Sequence, residues 1–324
     1  MRVLVLHSDV AEDAPPDEQD TLATADAVAT ALAGNGHIVT KAAFHPDEAA
    51  LDGVIHRSQP NVVFNLVESV RGRGDRAHVA PRWLARRHLA YTGCTDAVLQ
   101  ACANKPICKK FFLRIGVPTP DWSTPPSWQG LADDKAYVVK SASEDASIGL
   151  DDAAVVTGIA AVKRRARECV ARHGGRWFAE AYMPGREFNV SLLAVDDALL
   201  AFPVAETRFE NWVQHRPRIV GYSAKWHTES ADSINTARAF GIENENPELA
   251  SRMAALARKA WQQLGARGYS RVDFRLDAEG QPSILEINPN PCLDPGAGFA
   301  AAAAKAGISY PDLIERIVQE ALRS

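Results

Sequence analysis

The chain has 324 residues, 46% hydrophobic and 23% charged, with a formal net charge of -4. That length exceeds the roughly 150 residues of a typical domain, so two or three packed lobes are expected. The slight acidic balance gives no basic field for a nucleic-acid backbone, and no apolar run approaches the roughly 18 residues of a membrane span, which argues against both kinds of partner.

Val3–Leu6 reads as a short buried strand, too short for a signal-peptide core and without a small-residue cleavage site after it. Thr21–Leu32 is alanine-rich with helical spacing, and Gly34-Asn35-Gly36 ends it. Val62–Leu66 predicts a second buried strand, and this alternation points to an N-terminal parallel α/β lobe with a boundary near residues 100–104. A helical stretch through Lys109–Arg114 stops at Gly116-Val117-Pro118-Thr119-Pro120, and Asp121–Leu131, with its prolines, serines and tryptophans, reads as irregular. Tyr137–Lys140 is a strand leading into the small polar loop Ser141–Gly149. From Trp177 the pattern runs strand, turn at Pro184-Gly185, strand Glu187–Val195. A long helix at Ala250–Leu264, a hairpin over Arg271–Asn288 and a final helical region with the alanine run Ala300–Ala304 complete the chain. The five cysteines (Cys94, Cys102, Cys108, Cys169, Cys292) contain no Cys-x-x-Cys pair, so neither a disulfide framework nor a zinc site is expected, and a reducing cytoplasm is the expected compartment.

Two segments carry chemistry. Arg271-Val272-Asp273-Phe274-Arg275-Leu276 and Ile284-Leu285-Glu286-Ile287-Asn288 alternate polar and apolar residues around a turn at Asp277–Gln281. Symmetric pairing sets Asp273 opposite Glu286 and Arg271 opposite Asn288, with Val272, Phe274, Leu285 and Ile287 on the buried face. Opposed residues sit roughly 5 Å apart, so two carboxylates and an amide there form an oxygen site of the kind magnesium takes together with phosphates. A plain hairpin with one solvated face fits the same pattern. The second segment is Lys140 before its serine- and glycine-rich loop, whose backbone N–H groups suit phosphate oxygens. It is not a Walker loop, no Gly-x-Gly-x-x-Gly follows the first strand, and a plain surface loop is the competing reading.

Taken in order, these pieces resemble the ATP-grasp superfamily, and within it the D-alanine–D-alanine ligase-like branch. The resemblance rests on Tyr91-Thr92-Gly93 with Asn104-Lys105, Gly116–Pro120, Val138-Val139-Lys140 with Ser143–Gly149, Glu180–Phe188, Gly268–Asp273, Leu285–Asn288 and Ala306–Tyr310. It implies a three-lobed α/β fold divided at 1–103, 104–185 and 186–324. It implies an ATP-dependent carboxylate–amine ligase that works through an acyl phosphate. By the same resemblance Lys105 and Lys140 hold ATP phosphates with the loop that contains Ser147. Glu180 and the backbone of Ala181 to Met183 meet the adenine, and Glu187 meets the ribose. Asp273, Glu286 and Asn288 ligate two magnesium ions, with manganese as a substitute. Arg271 stabilises charge on the acyl phosphate, and Lys225 reaches the transferred phosphoryl group. The partners implied are a small-molecule carboxylate and amine, with a homodimer as a compatible assembly.

The substrate side departs from the family. The family's first-substrate glutamate falls at Gln19, flanked by Glu18 and Asp20; its His-Gly falls at Glu68-Ser69. Its glycine after the metal asparagine falls at Cys292, its substrate serine at Ala297, with bulky Phe299 nearby. D-Alanine is therefore expected to be a poor substrate. The competing readings are a true D-alanine–D-alanine ligase and a catalytically silent ATP-binding sensor.

Overall fold

The computed structural model describes residues 1–11, 13–45, 47–144 and 147–323. The chain starts with β1 (Arg2–Ser8), α1 (Pro16–Gly34), β2 (Ile38–Phe44), α2 (Glu48–Ser58), β3 (Val62–Leu66) and α3 (Val79–Arg86). The three strands lie parallel in the order β2-β1-β3. Central β1 is covered on both faces, which is why its sequence is a continuous apolar run. Helix α1 begins at Pro16, ahead of the predicted Thr21. Proline suits a first helical turn, and Asp17 and Glu18 there favour the helix dipole.

Two helices follow, α4 (Asp96–Cys102) and α5 (Lys105–Arg114), capped by the side chains of Thr95 and Asn104. The next unit holds β4 (Trp122–Ser123), β5 (Ala136–Ser141), β6 (Val155–Thr157), α6 (Ile159–His173) and β7 (Trp177–Ala181). Its antiparallel sheet runs β4-β7-β5-β6 over a core that includes Tyr137, Val139, Val162 and Ala179. The segment expected to be irregular is so except at β4, which bonds to β7.

The largest sheet runs β11-β10-β8-β12-β13, with β9 on β8. Its strands are β8 (Glu187–Val195), β9 (Ala198–Ala201), β10 (Ala205–Phe209), β11 (Thr236–Phe240), β12 (Tyr269–Leu276) and β13 (Pro282–Asn288). Short helices α7 (Tyr222–Trp226), α8 (Ala231–Ile234) and α9 (Ile242–Glu245) fall among them, then α10 (Pro247–Leu264), and after the hairpin α11 (Gly298–Lys305) and α12 (Tyr310–Ala321). One face of this sheet, with Val190, Val272, Phe274 and Ile287, shares a core with Phe112 of α5 and Met253 of α10.

The opposite face points its polar residues into the cleft. Arg271 pairs with Asn288 and Asp273 with Glu286, as alternation predicts. A register shift after Asp273 makes this possible, because Phe274 pairs with Ile284 and Leu285 is left over. Without that bulge Asp273 would oppose Leu285, and Glu286 would turn toward the core. Leu285 is thus half-buried at the bulge rather than on the buried face; Ile284, with no exposure, takes that place.

Candidate active site

Strand β12 lies between β8 and β13, so three strands contribute to one polar face. Glu187, Asn189 and Ser191 of β8 stand opposite Arg275, Asp273 and Arg271, which pair onward to Ser283, Glu286 and Asn288. The Arg271 guanidinium grips Asp273 through two bonds of 2.7 and 2.8 Å. Glu286 is the electrostatic focus. Burial pushes its pKa up, but Lys105, then Lys140, Lys225 and Arg271, outweigh burial and hold it down to about 2. Lys105 Nζ lies 3.4 Å from Glu286 Oε2, and the same ammonium donates to Glu144 O at 3.0 Å. The structure therefore brings the expected phosphate lysines, Lys225 and the expected metal ligands into one cluster. No group of three His, Cys, Asp or Glu side chains among the described residues could hold a metal. An oxygen site made of two carboxylates and an amide does not need one. Asn189 Oδ1, opposite Asp273, is buried with no hydrogen-bond partner among the described residues, an acceptor that a cation would satisfy.

The nucleotide side differs from expectation in detail. Glu180, 2% exposed, spends its carboxylate on two lysines: Lys140 at 2.7 Å and Lys109 of α5. A carboxylate this deep needs such partners, so its side chain is committed rather than open to an adenine. Ala181 N–H donates to Asp121 O and Tyr182 N–H to Ala136 O, whereas the Met183 amide has no backbone acceptor among the described residues. Of that stretch, Met183 is the N–H left over. Glu187 is paired to Arg275 Nη1 at 2.6 Å; burial raises its pKa, and Arg275 opposes that. The Ser147 hydroxyl donates to Val220 O at 3.0 Å, so it clasps two loops and is not open to a phosphate. Asp145 and Ala146 of the same loop lie outside the described residues.

That clasp continues through α7. Tyr222 N–H donates to Leu150 O at 3.1 Å, and its hydroxyl donates to Asp17 Oδ1 at 2.7 Å. Lys225, three residues on, is thereby brought close enough to act on both Glu187 and Glu286.

Beside Asn288 and Asn290 lies a cavity of about 160 Å³, walled by Ser8, Asp17, Glu18, Glu68 and Glu144 among others. Burial and then Asp17 raise the pKa of Glu18. Gln19 is exposed and donates to Ala14 O, so Glu18 faces the cavity in its place. Cys292 turns toward α1, donating to Asp20 Oδ2 at 3.2 Å, and Phe299 is fully buried in the core, so neither narrows the cleft. Lys109, Asn189 and Tyr222 belong to the cluster without having been singled out from sequence. A signal existed for Lys109, one helical turn after Lys105, and for Asn189, in step with Glu187.

Residues 135–319 match the family model of the D-ala D-ala ligase C-terminus. An uncharacterised protein of Sinorhizobium fredii is 30% identical over 264 residues, 81% of this chain and 75% of that protein. The D-alanine–D-alanine ligase of Gluconobacter oxydans is 29% identical over 335 residues, 99% of each. The crystal structure of the D-alanine–D-alanine ligase of Bacillus anthracis complexed with ATP superposes with a TM-score of 0.75 at 20% identity, covering 100% of this chain and 98% of that one. At that identity the likeness speaks for the fold, which is ATP-grasp. Because the family model spans more than half of the sequence, the chain belongs to the D-alanine–D-alanine ligase family.

Proposed function

We propose that the chain is an ATP-dependent, ADP-forming ligase that joins a small, amino-acid-like carboxylate to an amine, with D-alanine a poor substrate in both positions because Ala297 stands where the family has its substrate serine. The observation that carries this reading is the convergence of Lys105, Lys140, Lys225 and Arg271 on Glu286, across the hairpin from Asp273. A carboxylate is a poor electrophile at neutral pH. Phosphorylation activates it, and the enzyme's work is then to neutralise charge spread over the transferred phosphoryl group. Asp273, Glu286 and Asn288, with Asn189 beside them, suit magnesium, which when bound neutralises phosphate charge. Lys105 and Lys140 take phosphate oxygens, Met183 N–H meets the adenine edge, and Glu187 meets the ribose. Lys225, carried on α7, reaches the transferred group. Arg271 steadies the negative charge that develops when an amine attacks the acyl phosphate. The acid-walled cavity beside Asn288 suits a substrate bearing an ammonium group. Five free cysteines fit a reducing cytoplasm.

The test is ADP release with D-alanine alone, against a panel of L-amino acids, D-amino acids and amines with and without added carboxylic acids. A panel member should outrun D-alanine. Asp273→Asn and Glu286→Gln should each lose at least about a hundredfold in turnover with the fold intact by circular dichroism. Efficient D-alanyl-D-alanine formation with the panel inactive would make the chain a true D-alanine–D-alanine ligase, as its named relatives suggest. ATP binding without ADP release from any mixture would make it a sensor.

A further inference from the structure

Arg238 stands on β11, where it pairs with Thr207, which pairs in turn with Glu187; the three residues share the cleft-side face of the sheet. Its guanidinium reaches the loop ahead of α11. Nη1 donates to Gly296 O at 3.2 Å, and a Cβ built on Gly298 would lie 3.8 Å from Nε and Nη2. Among the described residues no carboxylate pairs with it. The contrast with other arginines is direct. Arg186 has Glu206 and Glu245, Arg216 has Asp152 and Asp232, and those bonds raise both pKa values. Partial desolvation, then the charge of Arg271, lower that of Arg238. Arg271 is neutralised by Asp273, whereas Arg238 faces a second cation with no anion of its own. The loop it touches has no hydroxyl to offer either, since Ala297 starts α11 without a side-chain cap. The residue is exposed at the cleft edge and its one acceptor among the described residues is a neutral carbonyl, so the guanidinium charge is open to a ligand anion.

We propose that Arg238 binds a carboxylate of the amine-bearing substrate, so that this ligase selects acceptors that carry an acid group. The proposal rests on the ligase reading above. The phosphoryl side is already served by Lys105, Lys140 and Lys225 around Glu286. The carboxylate donor loses its charge when it is activated. A lasting ion pair therefore belongs to the partner that keeps its acid through the reaction.

The experiment offers the purified chain ATP, the best carboxylate donor of the panel, and paired acceptors: glycine and glycinamide, L-alanine and L-alaninamide, D-alanine and D-alaninamide. The wild type should prefer each acid to its amide. Arg238→Met should raise KM for the acids about thirtyfold, the weight of a charge-assisted bond, and erase the preference, while KM for ATP holds. Arg238→Lys should recover part of it. Equal use of acid and amide by the wild type overturns the inference. So does a drop in kcat with acceptor KM unmoved, which would assign Arg238 to the phosphoryl group, or a loss equal for acid and amide with a lowered melting point, which would make it structural. No ADP from any mixture would overturn the ligase reading and this one together; ADP formation indifferent to the acceptor's acid would overturn this one alone.

Discussion

The deepest ion pair among the described residues sits beside Lys140, one of the lysines proposed to hold phosphate. Lys109 has no exposure, donates to Thr119 Oγ1 at 2.9 Å and pairs with Glu180. Burial lowers its pKa, with Glu180 opposing. On Glu180, burial pushes upward, but Lys109 and Lys140 prevail and hold the carboxyl below its usual 4.5. Lys109→Met would leave the buried Glu180 with Lys140 as its remaining lysine, and should cost up to about 3–5 kcal/mol. Adding Glu180→Leu should return much of that stability while leaving Lys140 loose and ATP weakly bound. The pH sign follows from the lowered carboxyl. Its stabilising share is present above the unfolded value of 4.5 and is lost as the pH falls through the lower folded value. Urea midpoints measured from pH 7 down to pH 3 should fall below about 4.5 in the wild type and fall less in the double variant. A single variant as stable as the wild type would show that the pair contributes nothing.

At the scale of elements, α7 and its clasp decide whether Lys225 is in place. Gly221 packs so tightly that a Cβ there would meet Leu150 O at 2.7 Å, and Tyr222 ties the next turn to Asp17 of α1. Gly221→Ala should push the two loops apart; Tyr222→Phe should release only the tie to α1. Both should let water reach the acyl phosphate, raising ADP formed per amide bond made, more for Gly221→Ala. The readout is ADP against product in one reaction, and an unchanged ratio in both variants would deny the clasp that role. Little of this was legible in advance. The stretch from Glu210 to Tyr222 has no period, and α7 is only five residues long, held by contacts with distant loops. The hairpin was legible because strand alternation alone assigns faces. Its bulge was not: Asp277 closes the turn by accepting from Glu279 N–H and Gln281 N–H, and that closure, invisible in the alternation, decides that Leu285 is the extra residue. Lys109 stayed hidden because Lys109-Lys110 reads as a solvated pair until the sheet that covers one of them is known.

Over the whole molecule, the cores do not follow the order of the chain. The last helix packs back on the first: Leu313, Ile314, Ile317 and Val318 of α12 share one core with Val5, Val28 and Leu32, and with Leu193 and Tyr269 of the large sheet. The Asn35 side chain and His37 reinforce that seam through Pro311 O and Glu315. The parallel sheet at one end of the sequence is thus finished by residues from the other end, and the acid-walled cavity has walls from both, Glu18 from α1 and Asn288 from β13. Ile317, 1% exposed, gives a clean probe of this coupling. Ile317→Ala removes buried methyl groups and should cost about 2–5 kcal/mol. If the seam joins the ends into one cooperative unit, the loss should appear as a single melting transition shifted downward, and amides of β1 and of β12 should lose hydrogen-exchange protection together. Because the cavity spans the seam, the same variant should weaken substrate use more than ATP affinity, whose proposed contacts lie with β5, β7 and β8. Loss of protection confined to α12, with β1 unaffected, would mean that the two ends fold independently and that the cavity walls are held by the cleft alone.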